Sequence, residues 1–314
     1  MFTDRPIPTP KANELLVRVR ASTVSSADWR IRSLTLPRGF GPLARPALGL
    51  FAPRQPVLGT ELSGEVMDVG SAVTRFKPGD LVFAFTGSGL GCHQEYRCVA
   101  EDSAVALKPH NLSHAQAAAL SFGGATMLDF YRRAGLKAGD RVLVNGASGT
   151  VGTAAVQLAR HRGAHVTGVC RRQHAGLVRT LGAERVLDRA TEDFVCTEAP
   201  FDVIVDTVGS APHARCAPVL SPGGSLLLVL SSLPQMLLAP WHGWRSDHRV
   251  IAGPVKERPE YIHNLRELAL AGAFTPVIDS TWSFRQIRQA HARVDQGSKC
   301  GSVVVLLGDA DDPA

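Results

Sequence analysis

Short apolar runs rich in strand-forming residues dominate the first third of the chain. Runs of this kind at residues 15–19, 61–69 and 81–85 are separated by glycine and proline. Strand-length runs punctuated in this way favour strands joined by tight turns. In the sequence KPGD at 77–80, proline and glycine stand where such a turn requires them. The pattern predicts a compact, mostly β domain over residues 1–112.

From residue 113 onward the pattern alternates between helix and strand. Apolar runs of strand length lie at 141–144, 165–170, 202–205 and 225–229, and residues 150–162 show the period of an amphipathic helix. Repeated strand–helix–strand units predict a parallel, doubly wound sheet, which is the Rossmann arrangement. We assign this α/β domain to residues 113–273.

The last part of the chain returns to the β pattern. Strand-like runs at 276–278 and 302–307 flank a helix predicted at 284–294. We therefore expect residues 274–314 to pack back onto the first domain.

Two segments lack a clear period. Residues 34–56 contain five prolines and predict a long loop near the mouth of a cleft between the domains. Residues 233–244, LPQMLLAPWHGW, favour a loop in the core or at a subunit interface, with a lid over the cleft as an alternative. A membrane-surface anchor is disfavoured because no face rich in Lys and Arg accompanies the apolar residues.

Composition restricts the classes of partner. The 314 residues include 45% hydrophobic and 20% charged residues, as in globular proteins, and the net charge of +6 is spread in small groups. No long basic block occurs, so we expect no nucleic-acid partner. No apolar run predicts a membrane span, and six cysteines without a CxxC pair, with no signal peptide, predict reduced thiols and a cytoplasmic location.

The strongest chemical motif is NGASGTVG at residues 145–152, between a strand and a helix. Gly146 and Gly149 lack a Cβ where the backbone must approach a pyrophosphate, and Gly152 lets the helix pack closely on the strand. The helix N-terminus offers free N–H groups and partial positive charge to phosphate. We expect a dinucleotide to bind at Gly146, Ser148, Gly149, Thr150, Val151 and Gly152. The alternative is a glycine-rich turn without a ligand.

The end of the following strand bears on which dinucleotide binds. Sites that prefer NAD carry Asp or Glu there, about 20 residues past the glycines, to hold the ribose hydroxyls. This chain has Cys170 followed by Arg171 and Arg172. Two guanidinium groups could pair with a 2′-phosphate, so the sequence predicts NADPH as the cofactor. The alternative is that both arginines are solvated surface charges.

These motifs together resemble the zinc-free, quinone oxidoreductase-like branch of the medium-chain dehydrogenase/reductase superfamily. The resemblance covers residues 8–307 and is carried by residues 56–69 (PVLGTELSGEVMDV), 73–82 (VTRFKPGDLV), 145–160 (NGASGTVGTAAVQLAR), 166–170 (VTGVC) and 201–209 (FDVIVDTVG). It implies a GroES-like β domain and a Rossmann domain with the coenzyme between them. Relatives carry a β-hairpin before residue 8, so we expect an N-terminally shortened first domain.

The same resemblance implies further contacts. Thr126 is expected beside the nicotinamide, Val208 and Gly209 near the adenosine ribose, and Val229 and Ser231 near the carboxamide. Thr126, Val208 and Val229 also suit the interior of a helix or sheet. Relatives commonly form dimers, and we expect a homodimer to use a sheet edge near residues 225–230.

Zinc-containing members of the superfamily bind their metal through Cys, His and a further Cys or Asp. Here these positions fall in the segment 25–28, at Thr60, and in the segment 121–123, without a thiol or imidazole. We therefore expect no metal. Without a Lewis acid, an acceptor whose conjugation spreads the charge of the arriving hydride is favoured.

The sequence thus predicts NADPH-dependent reduction of an apolar enone or quinone. Cleft candidates are Asp28, Trp29 and Thr60, and no proton donor is identified. Relatives often carry Asn at the position of Ser25 and Lys at that of Ser302. These departures leave altered or weakened catalysis as an open alternative. Reduction of another carbonyl class, or binding and sensing of NADPH without catalysis, are the alternatives.

Overall fold

The computed structural model describes residues 2–42, 46, 49, 53–197 and 200–308, without the side chains of 242, 244 and 245. Its strands are β1 (Glu14–Val24), β2 (Glu61–Val69), β3 (Leu81–Phe85), β4 (Tyr96–Ala100), β5 (Val105–Leu107), β6 (Arg141–Asn145), β7 (His165–Cys170), β8 (Arg185–Asp188), β9 (Phe201–Asp206), β10 (Leu220–Leu228), β11 (Arg249–Ala252), β12 (Ile278–Ser283) and β13 (Ser302–Leu306). Its helices are α1 (Ser26–Ser33), α2 (His114–Ala118), α3 (Ser121–Ala134), α4 (Thr150–His161), α5 (Ala175–Thr180), α6 (His213–Cys216), α7 (Leu233–Arg245), α8 (Pro259–Leu270) and α9 (Ile287–Asp295).

The first sheet is built from both ends of the chain. Its order is β12-β13-β1-β2-β3-β5, and β4 also pairs with β1. The long β1 bends through two register shifts against β2, which lets it pair with β2, β4 and β13. Apolar side chains from these strands, including Leu15, Leu62 and Val303, form one core with residues of α9.

The second sheet has the order β11-β10-β9-β6-β7-β8, and every pair of neighbours is parallel. Counted from β6, this is the Rossmann order 3-2-1-4-5-6. Successive connections leave β6 in opposite directions, so a crevice opens between the carboxyl ends of β6 and β9. Separate apolar clusters cover the two faces of the sheet, as expected when both faces carry helices.

These two sheets confirm the predicted fold class of a Rossmann domain with a GroES-like β domain. Strand β13 pairs antiparallel with β1, so the chain returns to the first sheet after α8. Among the described residues, no helix has the length and apolar character needed to cross a bilayer.

Several local predictions were wrong. Strand β12 spans Ile278–Ser283, later than the predicted 276–278, because residue 276 is proline and cannot donate to the ladder. The segment expected to be a loop is helix α7, which tolerates Pro240. Strand β10 is not at the sheet edge, because β11 lies outside it and pairs with residues 225–228.

Candidate functional site

A cleft of about 570 Å³ opens at the crevice between β6 and β9, with walls from both domains. The second domain contributes the turn after β6, the ends of β7, β9 and β10, and the loop after β8. The first domain contributes α1, and the segment between α9 and β13 closes one side. Lining residues include Ser26, Trp29, Arg30, Phe122, Asn145, Arg189, Glu192, Ser298 and Lys299.

The turn after β6 is shaped by close backbone contacts. Gly146 has a φ of +84°, and a Cβ there would lie 2.4 Å from Thr207 Oγ1. A Cβ on Gly152 would lie 2.0 Å from the carbonyl oxygen of Gly146, so α4 approaches the turn too closely for any side chain. This packing points the N-terminus of α4 into the cleft.

The turn places no conformational demand on Gly149, unlike Gly146. Gly149 has a φ of −77°, and a Cβ there would meet only the carbonyl oxygen of Gly146, at 3.6 Å. The turn therefore does not need glycine at this position for its conformation. As the N-cap of α4, Gly149 instead leaves open space beside the first N–H groups of the helix, where an anion could approach.

A buried amide and carboxylate order the opposite rim. Asn145 Nδ2 donates to Asp206 Oδ1 and to Ser210 Oγ, each at 3.0 Å. Asp206 is fully buried and accepts the backbone N–H groups of Val208, Gly209 and Ala211. These bonds hold the loop after β9 over the cleft and link it to the end of β6.

The sequence analysis did not identify Lys299, which lies at the helix terminus. Its Nζ donates to Thr150 Oγ1 at 2.6 Å and to the carbonyl oxygen of Gly301 at 2.7 Å. Ser302 Oγ lies 3.5 Å from the same Thr150 oxygen, so Lys299 brings an ammonium group to the place that Ser302 faces. Burial lowers the pKa of Lys299 to about 8. Only tertiary structure brings this lysine to the turn, so no local pattern could have shown it.

The far end of the cleft is basic. Arg171 lines it together with His174, Arg189 and Arg215. Arg215 is engaged by Asp193 at 2.9 Å, which leaves Arg171 and Arg189 as the arginines there without an ion pair among the described residues. Arg172, the first residue of a short 3₁₀ helix, is exposed and lies outside the cleft lining.

The remaining predicted contacts divide into three groups. Lining the cleft are Ser148, Thr150, Val151, Val208 and Val229. Lining a second, adjoining cavity are Gly209 and Ser231. Thr126 lines neither, since it is buried inside α3 and donates its hydroxyl to the carbonyl oxygen of Phe122 at 2.6 Å.

Of the three candidates in the first domain, only Trp29 lines the cleft. Asp28 is fully buried: Oδ2 accepts Ser25 N and Oγ in a capping box at the start of α1, and Oδ1 accepts the N–H of Gly59. Thr60 is buried, and its hydroxyl has no hydrogen-bond partner among the residues that the structure describes. Asp28 is therefore a structural residue that ties α1 to the segment before β2.

A buried carboxylate joins the two domains behind the cleft. Glu61 accepts the hydroxyl of Thr23 and, at 2.6 Å, the N–H of Phe122 in the first turn of α3. Burial raises the pKa of Glu61 to about 7 even though these bonds favour its charged form. Sequence reasoning missed this residue because an acid beginning a strand carries no signal of its partners.

Two of the segments expected to correspond to metal-ligand positions of zinc-containing relatives contain buried hydroxyls. Among the described residues, the hydroxyls of Thr60 and Ser121 have no hydrogen-bond partner. Within the described part of the chain, no three His, Cys, Asp or Glu side chains are grouped so that they could hold a metal ion.

Comparison with known proteins agrees with this architecture. The model of the alcohol dehydrogenase GroES-like domain matches residues 11–109, and that of the zinc-binding dehydrogenase domain matches residues 181–305. The chain is 31% identical to the chloroplastic quinone-oxidoreductase QR1 of Triphysaria versicolor, over 96% of this chain and 92% of that protein. The quinone oxidoreductase structure from Coxiella burnetii superposes with a TM-score of 0.84 at 26% identity, covering 98% of this chain and 94% of that one.

Two further relatives differ in the activity that their names give. The mitochondrial NAD(P)H oxidoreductase RTN4IP1 of Homo sapiens is 31% identical over 93% of this chain and 81% of that protein. The 2-methylene-furan-3-one reductase of Solanum lycopersicum is 29% identical over 95% of this chain and 73% of that protein.

Fold and comparisons together define an oxidoreductase with a Rossmann sheet and a GroES-like domain, of a class that uses a nicotinamide cofactor. The chain belongs to the quinone oxidoreductase-like branch of the medium-chain dehydrogenase/reductase superfamily.

The contact between α4 and the glycine turn gives a prediction about stability. Gly152→Ala should lower the free energy of unfolding by about 1–3 kcal/mol, because its methyl group would overlap backbone atoms that cannot move aside. Gly176→Ala in α5 is the matched control, since a Cβ there meets nothing within 4 Å. Urea titrations of both variants would check this, and equal midpoints would contradict the close contact.

Glu61 gives a prediction about pH. Its folded-state pKa of about 7 exceeds the ordinary 4.5, so the stability from its extra proton is complete below pH 4.5 and is lost as pH rises through 7. Glu61→Gln does not titrate and can still accept from Phe122. The difference in melting temperature, variant minus wild type, should therefore increase as the pH rises from 5 to 8. The exposed Glu95→Gln serves as control, and a constant difference for Glu61→Gln would refute the shift.

Proposed function

We propose that this protein transfers a hydride from NADPH to an enone or a quinone without zinc. The observation that carries the proposal is the glycine turn, which aims the N-terminus of α4 into a cleft walled by both domains. A dinucleotide fits this cradle because Gly149 leaves the helix terminus accessible and the loop after β9 is already ordered by Asp206.

The pyrophosphate would be held by the turn and by Lys299. The N–H groups at the start of α4 point outward, and Ser148, Thr150 and Val151 line the cleft beside them. Lys299 adds an ammonium group that is fixed by two neutral oxygens and has no ion pair among the described residues. A lysine desolvated in this way favours its charged form once an anion arrives.

Arg171 supports the choice of NADPH. It lines the cleft next to Cys170, at the end of the strand where sites for NAD carry an acid. Arg189 reaches the same end of the cleft, whereas Arg172 faces away. We assign the 2′-phosphate to Arg171 with help from Arg189.

The acceptor is proposed from the chemistry of the cleft. The coenzyme supplies the hydride, and the chain's own residues orient the two reactants and exclude water. Trp29 and Phe122 give that part of the cleft an apolar wall. Neither Thr60 nor the segment 121–123, where zinc-containing relatives hold their metal, carries a thiol or imidazole, which favours an acceptor activated by its own conjugation. Relatives named for quinones and for 2-methylene-furan-3-one reduction support this class.

Coenzyme preference is tested by equilibrium binding. Quenching of tryptophan fluorescence, with Trp29 in the cleft, should give NADPH a Kd at least tenfold below that of NADH. Arg171→Ala should abolish most of this difference by removing a charge-assisted contact worth about 1.5–3 kcal/mol. Arg172→Ala is the matched control and should keep the preference. Equal affinities of the wild type for both coenzymes would contradict the assignment to NADPH.

Acceptor class is tested by turnover. With NADPH, the metal-stripped protein should reduce quinones and enones. It should reduce simple aldehydes at a rate at least a hundredfold lower. Activity that depends on added zinc, or that is fastest with aldehydes, would overturn the zinc-free proposal. Tight binding of NADPH with no turnover of any acceptor would favour a binding or sensing role.

A further inference from the structure

One stretch of the first domain has a strong excess of positive charge. Residues 29–60 contain no Asp or Glu and five arginines, namely Arg30, Arg32, Arg38, Arg45 and Arg54. Arg32 is neutralised from outside the stretch by Asp295, at 2.7 Å. Arg45 lies outside the described residues. The charge that faces the cleft comes from Arg30 and, further out, Arg38.

Arg30 lines both the main cleft and a second cavity of about 290 Å³. The two spaces share Trp29, Arg30, Val208 and Leu230, so the second is a side chamber of the first. Its outer wall is the segment 35–38, and its other wall comes from the residues that lead into α7. A hydrogen bond from Leu233 N to the carbonyl oxygen of Arg38 joins these walls.

The side chamber adjoins the coenzyme site and does not include the proposed phosphate contacts. None of its lining residues belongs to the turn after β6 or to the basic end at Arg171, while Val208, Gly209 and Ser231 in its lining are also candidate coenzyme contacts. It contains two arginines, three hydroxyl groups and one amide, but no carboxylate, and Leu36, Pro37 and Leu230 give it apolar surface. This combination suits an amphiphilic ligand with an anionic end.

Arg30 lacks a counter-ion. Its guanidinium lies 5.5 Å from the centre of the Trp29 ring, and Nη1 reaches the carbonyl oxygen of Ser26 at 3.5 Å. Among the described residues no carboxylate pairs with it. The group is partly buried, and burial lowers its pKa, which shows that its charge is incompletely solvated. A cation in this state gains strongly from an anionic ligand.

We propose that Arg30 binds a carboxylate on the substrate, so that the enzyme prefers conjugated carbonyl compounds with an acid at the end of an apolar chain. This inference rests on the proposed function, because it places the conjugated end of the substrate in the main cleft. The apolar chain would cross Trp29 and Leu230, and the carboxylate would meet Arg30, with Arg38 at the outer wall of the chamber.

A matched pair of substrates tests the proposal. We would compare (E)-10-oxoundec-8-enoic acid with its methyl ester, which differ only in the charged end. The wild type should show a kcat/KM at least tenfold higher for the acid. Arg30→Met keeps the aliphatic packing on Trp29 and should bring the ratio close to one by slowing the acid alone, and Arg30→Lys should recover part of it. Arg32→Met, on the exposed side of α1, should leave the ratio unchanged.

Equilibrium binding separates this inference from the proposed function. Affinities of the acid and the ester are measured by fluorescence quenching, with NADP⁺ present and without it. If neither compound is reduced but the acid binds tenfold tighter through Arg30, the proposed reaction fails and the carboxylate site stands. Equal treatment of acid and ester by the wild type would overturn the site. The site would also be overturned by an Arg30→Met variant that loses affinity for NADPH but keeps its preference for the acid.

Discussion

The close approach of α4 to the turn after β6 is the constraint on which the rest of the site depends. Because Gly152 has no side chain, the helix begins directly against the carbonyl oxygen of Gly146, and its N-terminus faces the switch point of the sheet. The turn is also fixed from the other domain. Gly149 forms a parallel bridge with Gly301, whose N–H donates to the carbonyl oxygen of Ser148, immediately before β13 enters the first sheet. The N-terminus of α4 is thus part of the junction between the domains.

The centre of this junction is polar, and burying polar groups there costs free energy of folding. Glu61 is buried where β2 meets α3, and the hydroxyls of Thr60 and Ser121 have no hydrogen-bond partner within the part of the chain that the structure describes. Buried polar groups without hydrogen bonds lose their hydration without compensation. An interface optimised only for stability would carry apolar residues there. Glu61 offsets part of this cost by accepting from Thr23 and Phe122, and so holds the start of α3 against the first domain.

Features that depend on local periodicity could be predicted from the sequence. Predictions were wrong where the direction of a side chain decides whether it reaches the cleft. The strands near residues 61–69, 81–85 and 165–170, and the helix after the glycine turn, follow from patterns within a few residues. Asp28 and Thr126 were placed in the site by the family resemblance and Arg172 by its position after β7. In the structure Asp28 and Thr126 are buried and hydrogen-bonded within the fold, and Arg172 is exposed outside the cleft lining. Lys299 and Glu61 could not be predicted, since each acts through residues more than 60 positions away. Helix α7 was missed because Pro240 weighs against a helix locally, while packing against β11 supports one.

Three cationic groups that line the cleft come from different parts of the fold. In the proposed complex, Arg171 and Lys299 would meet the 2′-phosphate and the pyrophosphate. Arg30, on α1 of the other domain, lines both the main cleft and the side chamber. None of the three has an ion pair among the described residues, so each would gain from an anionic group on a ligand. The nicotinamide ring is uncharged before it gives up the hydride and cationic afterwards, so it offers Arg30 no counter-ion in either state. We therefore assign the anion that meets Arg30 to the proposed acceptor of the hydride.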